Sequence, residues 1–278
     1  MEVLPAALAL SSSATSGVAS IFLKYSTRNV KPLLVNSLKA LSGTLGLALI
    51  ILLSNRQFTV TTSSFKLILF ISVTGPVLSW LFFIMALEKG GVSIVHPIVN
   101  SYPLTAIIAG LLLGYPISIL DLIGAITAIV GFKLLFSNDG KISAKPVILA
   151  ATTSILWGIN TSLFKLLLET EDPITVAFWR ALLASIILLP IATMKTRLPK
   201  KLRYLIHPLL AGQLSDVLTV VLWLSALQTG ELASTAILGS LGPIFSSILS
   251  KTMLKEHVPL KRYIGIIVVI TGVSLTLA

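Results

Sequence analysis

Residues 173–182, Pro-Ile-Thr-Val-Ala-Phe-Trp-Arg-Ala-Leu, rewrite a stretch already used at 32–41, Pro-Leu-Leu-Val-Asn-Ser-Leu-Lys-Ala-Leu. The two lie 141 positions apart, with Pro32 answering to Pro173 and Lys39-Ala40-Leu41 to Arg180-Ala181-Leu182. Working outward, the same offset sets Pro5 on Pro146, Gly17 on Gly158, Phe22-Leu23-Lys24 on Leu163-Phe164-Lys165 and Arg56 on Arg197. After one dropped residue the offset is 140, and Ala86-Leu87 meets Ala226-Leu227, Gly90 meets Gly230 and Pro103 meets Pro243. The original offset then returns with Gly124 on Gly265 and Gly131 on Gly272. One unit is written twice, over 1–138 and 139–278. Each half holds five apolar spans. Five is odd, so the second copy must enter the membrane upside down. Inverted repeats of this kind build secondary transporters, with the substrate site at the repeat interface near mid-membrane.

Composition agrees. Of 278 residues 55% are hydrophobic and 11% charged, and the mean hydropathy of +0.98 lies far from that of a soluble domain. A span needs about 20 apolar residues to cross the hydrocarbon core. Spans are expected at roughly 4–26, 32–54, 65–88, 92–114, 117–136, 145–168, 173–194, 203–228, 231–254 and 260–278. The gaps between them leave no room for a soluble domain. Backbone groups in lipid must bond within the segment, so the fold class expected is an all-α membrane protein of ten helices.

The net charge of +11 raises the question of nucleic acid, and its distribution answers it. Of the 21 lysines and arginines, Lys39, Lys165 and Arg180 fall within spans, Arg56 and Lys66 on one face, and the remaining sixteen on the other. So strong a bias marks the basic face as cytoplasmic, in a multi-pass protein of the cell membrane with both termini outside the cytoplasm. The partner implied is the lipid bilayer, not nucleic acid.

Met1-Glu2 lacks a basic leader and Leu4–Ser26 is too long for a signal-peptide core, so the first span is expected to stay in the protein. The absence of cysteine excludes disulfides and thiolate chemistry. His96, His207 and His257 occur singly, without ligand spacing, and the last two lie at span ends where a solvated histidine is the default. There is no P-loop lysine motif and no zinc-protease helix. No metal, cofactor or soluble catalytic constellation is called for. An enzyme would have to assemble its acid and base inside the spans, with His96 and Asp216 as the pair available.

Several stretches resemble EamA-like members of the drug/metabolite transporter superfamily. They are Gly17…Phe22-Leu23-Lys24 and Trp157-Gly158-Ile159-Asn160…Phe164-Lys165 in the opening helix of each half, and Pro173…Phe178-Trp179-Arg180-Ala181-Leu182 after a short loop. Ala226-Leu227-Gln228-Thr229-Gly230, Gly242-Pro243-Ile244-Phe245 and Lys255-Glu256-His257-Val258-Pro259 extend the likeness over nearly the whole chain. The first half departs from it: Tyr115-Pro116-Ile117-Ser118 stands where the acidic turn belongs, and Lys39 replaces the arginine. The resemblance implies a ten-helix, two-repeat carrier of small metabolites or drug-like compounds, such as amino acids, and does not name the substrate.

Polar residues inside the spans mark the candidate site, because a charge in lipid costs several kcal/mol. Lys39 and Arg180 lie seven residues past the starts of their helices, about 10 Å deep, and repeat symmetry sets them at opposite faces of the membrane. They read either as snorkelling side chains or as cationic groups flanking a central cavity for phosphate- or carboxylate-bearing metabolites. Asp216 is the deepest acid. It reads as a structural partner of Arg180, as a titrating group coupling export or exchange to protons, or as both. Asn100 and Tyr102, with His96, bracket Pro97 and Pro103, while Gly239, Ser240, Gly242 and Pro243 hold the matching place in the second half, so both helices should kink and free carbonyls. Asn36, Trp80, Trp157, Asn160, Trp179 and Gln213 complete the expected substrate-binding set, Trp223 could line the same space, and Trp179 stands close enough to a span end to serve instead as an interfacial anchor. A polar cavity should lie between the halves, lined by helices 1, 3, 4, 6, 8 and 9, with Asn100, Asn160 and Asp216 facing it.

Overall fold

The computed structural model describes residues 2–116, 118–135, 143–199, 201–255 and 260–275. Among these every regular element is helical. In chain order the helices are α1 (Val3–Thr27), α2 (Pro32–Leu53), α3 (Thr62–Lys89), α4 (Val92–Leu112), α5 (Ile119–Leu135), α6 (Ala144–Leu167), α7 (Pro173–Lys195), α8 (Leu202–Thr229), α9 (Leu232–Leu254) and α10 (Leu260–Leu275). Eight of them, all but α5 and α10, are long and apolar enough to cross a membrane. Large apolar side chains such as Leu49, Leu52, Ile126, Ile186 and Met194 point outward, as a bilayer-facing surface requires.

The local chemistry sets the helix ends. Pro32 and Pro173 take the first turns of α2 and α7, where a missing N–H costs nothing. Asp172 caps α7, its Oδ2 accepting from the N–H groups of Ile174 and Thr175 at 3.0 Å each. At the other end of a helix the final carbonyls lack partners. The lysines at 24 and 165 supply them: Lys24 Nζ donates to the carbonyls of Leu87 and Gly90 at the end of α3, and Lys165 Nζ to those of Leu227 and Gly230 at the end of α8, at 2.8 and 2.7 Å. A cation there also opposes the helix dipole. These two side chains hold α1 on α3 and α6 on α8 in the same manner.

The proline positions act as expected in α4 and α9. Helix α4 breaks between Val99 and Tyr102, and α9 between Gly239 and Gly242, with Pro103 and Pro243 opening the second pieces. Helices α3 and α8 also change, in a way not expected: each carries a widened π-helical stretch, Val73–Ser79 and Gln213–Thr219. Pro76 accounts for the first, since it can give no N–H to the ladder. No proline marks the second. Its centre is Asp216, at the position that Pro76 holds in the first half.

Helix α2 packs along α7, α5 along α10, α1 against α9 and α4 against α6. Thr44 and Ser185, which are 141 residues apart, touch through their hydroxyls at 3.0 Å where α2 crosses α7. His207 is half-buried against the rings of Phe22 and Tyr25. His257 lies outside the described residues.

Candidate functional site

The π-helical turn of α8 directs Asp216 into the seam between α2 and α7. Its Oδ2 accepts from Lys39 Nζ at 2.5 Å and its Oδ1 from Arg180 Nη2 at 2.8 Å. The side chains of Lys39, Arg180 and Asp216 are 0%, 5% and 2% exposed. Lys39 Nζ also sits 3.8 Å from the centroid of the Trp80 ring, over its electron-rich face. Gly43, one turn beyond Lys39, makes this approach possible: a Cβ there would stand 2.5 Å from Asp216 Cβ.

This geometry corrects one expectation. Lys39 and Arg180 do not flank a cavity from opposite faces, because both converge on one carboxylate. Each lies five residues before the Thr44–Ser185 contact, under two helical turns, and long side chains close the remaining distance. The expected Asp216–Arg180 pair is present, with Lys39 as a third member.

Beside the cluster lies a cavity of about 100 Å³, several times the space that one water needs. Its wall includes Ser12 and Ser16 of α1, Gly75, Pro76 and Trp80 of α3, Asn100 and Tyr102 of α4, and Trp157, Asn160, Thr161 and Phe164 of α6. Arg180 of α7, Thr219, Val220 and Trp223 of α8, and Gly239 of α9 complete it. All six helices expected to line it do so, and α7 joins them through Arg180. The wall is mostly apolar rather than polar as expected, because rings dominate it: Trp157 packs within 5.1–6.3 Å of Trp80, Phe83 and Tyr102, and Trp223 stands edge-on to Phe164 at 5.7 Å. Tyr102 is fixed by its hydroxyl, which donates to the Ala236 carbonyl at 2.9 Å. Asn160 Oδ1 accepts from Thr74 Oγ1 at 2.9 Å.

Of the expected site residues, Trp80, Asn100, Tyr102, Trp157, Asn160 and Arg180 stand on this wall. The others do not. Asp216 and Lys39 lie behind it, joined to it through Arg180 and Trp80. His96 is fully buried and shares a 2.7 Å hydrogen bond with the Ser246 hydroxyl. Asn36 donates to the carbonyls of Pro76 and Val77 at 2.9 and 3.3 Å, which fastens α2 to the π-helical turn of α3. Gln213 is exposed and clamps α2, donating to the carbonyl and hydroxyl of Ser42 at 2.7 and 2.9 Å. Trp179 donates to the Phe58 carbonyl at 2.6 Å and packs edge-on against Phe65, the anchoring role open to a tryptophan near a span end. Trp223, also expected to line this space, stands on the wall, and residues outside the expected set join it, notably Ser12, Ser16, Thr161, Phe164 and Thr219. The repeat offers a signal for one: Ser16 is 141 residues from Trp157 and shares its cavity.

Comparison with known proteins places this geometry. The model of the EamA-like transporter family matches the chain twice, over residues 4–137 and 144–278. A stretch of 132 residues is 33% identical to "Uncharacterized inner membrane transporter YhbE" of Escherichia coli strain K12, covering 45% of this chain and 40% of that relative. The match thus spans well under two thirds of the relative's length. An "Uncharacterized transporter" of Archaeoglobus fulgidus is 24% identical over 69% of this chain and 68% of its own. A solved crystal structure shares the fold with a TM-score of 0.72 at 15% identity, over 95% of this chain and 96% of that one.

Proposed function

The chain belongs to the EamA-like transporter family, and on that premise we propose that it is a secondary carrier, an exporter or exchanger of small polar or amphipathic metabolites working by alternating access. The observation that carries this reading is the ring-walled cavity, framed by broken α4 and α9 and by the π-helical turns of α3 and α8. Irregular backbone is tolerated at membrane depth only where protein or a water-filled cavity receives it.

The architecture proposed is ten helices in two inverted five-helix repeats, 1–138 and 139–278. Four observations support it. The family model matches once in each half; Lys24 and Lys165 do the same task; the π-helical turns fall 140 residues apart; and Thr44 meets its own counterpart, Ser185. The basic face is proposed to be cytoplasmic, with residues 1 and 278 on the opposite side. The acid–base enzyme imagined for His96 and Asp216 gains no support, since His96 is engaged by Ser246 and Asp216 by two cations.

Purified protein in liposomes loaded with a candidate metabolite is expected to exchange it for labelled external metabolite without ATP. A panel in which no compound exchanges would overturn the carrier reading. A reporter fused after Ala278 is expected to be active only outside the cytoplasm, and cytoplasmic activity would reverse the proposed orientation.

A further inference from the structure

Three buried polar atoms on the cavity wall lack partners among the described residues: Arg180 Nε, Asn160 Nδ2 and the indole Nε1 of Trp223. All three are donors, and Arg180 and Asn160 are more than nine-tenths buried. A buried donor left unpaired is costly, so such groups call for an acceptor that arrives with a ligand. The charge balance says what kind. Lys39 and Arg180 bring two positive charges and Asp216 one negative. The cluster therefore keeps one positive charge in excess, and it reaches the cavity through the guanidinium rather than through the shielded lysine.

Resting on the carrier reading above, we propose that the cavity takes a monoanionic carboxylate with an aromatic or other flat apolar body. The carboxylate accepts from Arg180 Nε and Asn160 Nδ2, and the body lies among Trp80, Trp157, Phe164 and Trp223. A carboxylate is acceptor-only and matches the flat fork of an arginine. One negative charge balances the surplus, whereas a phosphate ester, with about −1.5 to −2 charges at neutral pH, overshoots it. An amine would bring a second unmatched cation beside Arg180. A zwitterion would bring that cation as well as the carboxylate. The rings alone would suit a cation; the guanidinium among them decides against one.

The test uses the whole protein in detergent. Three of its four tryptophans line the cavity, so intrinsic fluorescence reports occupancy. Phenylacetate, phenethylamine, phenylalanine and phenyl phosphate differ in charge on a shared ring. Phenylacetate is expected to bind tightest, by on the order of tenfold over each of the others. Arg180→Gln leaves Lys39 paired with Asp216, so the fold survives, and phenylacetate affinity is expected to fall by about tenfold or more. Lys39→Met keeps an unbranched apolar side chain against the back of Trp80, leaves every wall residue in place and removes the surplus charge. It too should weaken phenylacetate by roughly tenfold while phenethylamine binds no more weakly than before, a charge-dependent change that loosening of the Trp80 ring alone would not cause. Equal or tighter binding of the amine, zwitterion or phosphate, no binding of any probe, or unchanged affinity in either variant would overturn the inference. Phenylacetate binding without counterflow exchange would leave this site standing and remove the carrier reading. Exchange of the amine with no carboxylate binding would do the reverse.

Discussion

Asp216→Asn is expected to lower stability by about 3–5 kcal/mol, the usual cost of breaking a buried pair. The carboxylate is the shared anion for Lys39 and Arg180, and all three side chains are shut away from water. Asparagine keeps the shape and removes the charge, so two cations are stranded in a lipid-enclosed seam. From sequence alone the expected result is milder, a folded and inserted protein that loses gradient-driven transport, with loss of stability as the alternative if the pair with Arg180 is structural. The double pairing favours the severe one. Removing one cation is gentler, because Lys39→Met or Arg180→Gln leaves an ion pair behind. The triple variant Lys39→Met/Asp216→Asn/Arg180→Gln should regain most of the lost stability, since the three positions share partners and are strongly non-additive. Apparent melting temperature and detergent-soluble yield read this directly. An Asp216→Asn protein that melts like the parent while losing pH-driven flux would instead assign the carboxylate a titrating role.

Gly239→Leu is expected to cut exchange by on the order of tenfold or more while the protein still folds. Gly239 ends the first piece of α9 at the cavity wall. A Cβ there would stand 2.8 Å from Tyr102 Oη and 3.1 Å from Trp223 Nε1. Tyr102 is tied to the Ala236 carbonyl and Trp223 is braced by Phe164, so the open direction is into the cavity. Added methylenes in a packed interior typically cost about 1–3 kcal/mol, and here empty space accepts part of the volume. A cavity of about 100 Å³ cannot absorb displaced rings and still admit a ligand. Exchange at the parent rate would show that the ligand passes elsewhere.

The division between what the sequence disclosed and what it withheld follows from physical range. The duplication, the helix starts at Pro32 and Pro173, and the breaks after Val99 and Gly239 are local or periodic signals, legible without coordinates. So were the six helices of the cavity, because broken helices and intramembrane amides both report on it. The convergence of Lys39 and Arg180 was not legible. Depth along a helix axis follows from 1.5 Å per residue, but where α2 crosses α7 does not, and that crossing decides whether equivalent charges stand apart or meet. Charge arithmetic was the missed clue, one deep acid for two deep bases. The π-helical turn at Asp216 was also hidden, having no proline to mark it. Its consequence is to move Asp216 off the cavity wall expected for it and into the seam behind. Asn36, Gln213 and His96 misled for a common reason: a buried or clamping polar side chain that satisfies a neighbouring backbone or hydroxyl group looks, in one dimension, like a ligand contact.

Alternating access from one central cavity is tested most directly by where that cavity opens. The chain contains no cysteine, so a single thiol needs no background removed. Ser16→Cys and Thr219→Cys each place one on the cavity wall, from α1 and α8. A membrane-impermeant maleimide is applied to oriented membrane vesicles from one face at a time, with and without a transported compound. The account predicts that each thiol is labelled from both faces and that the compound slows labelling from both. Labelling from one face only, or from neither under any condition, would contradict it.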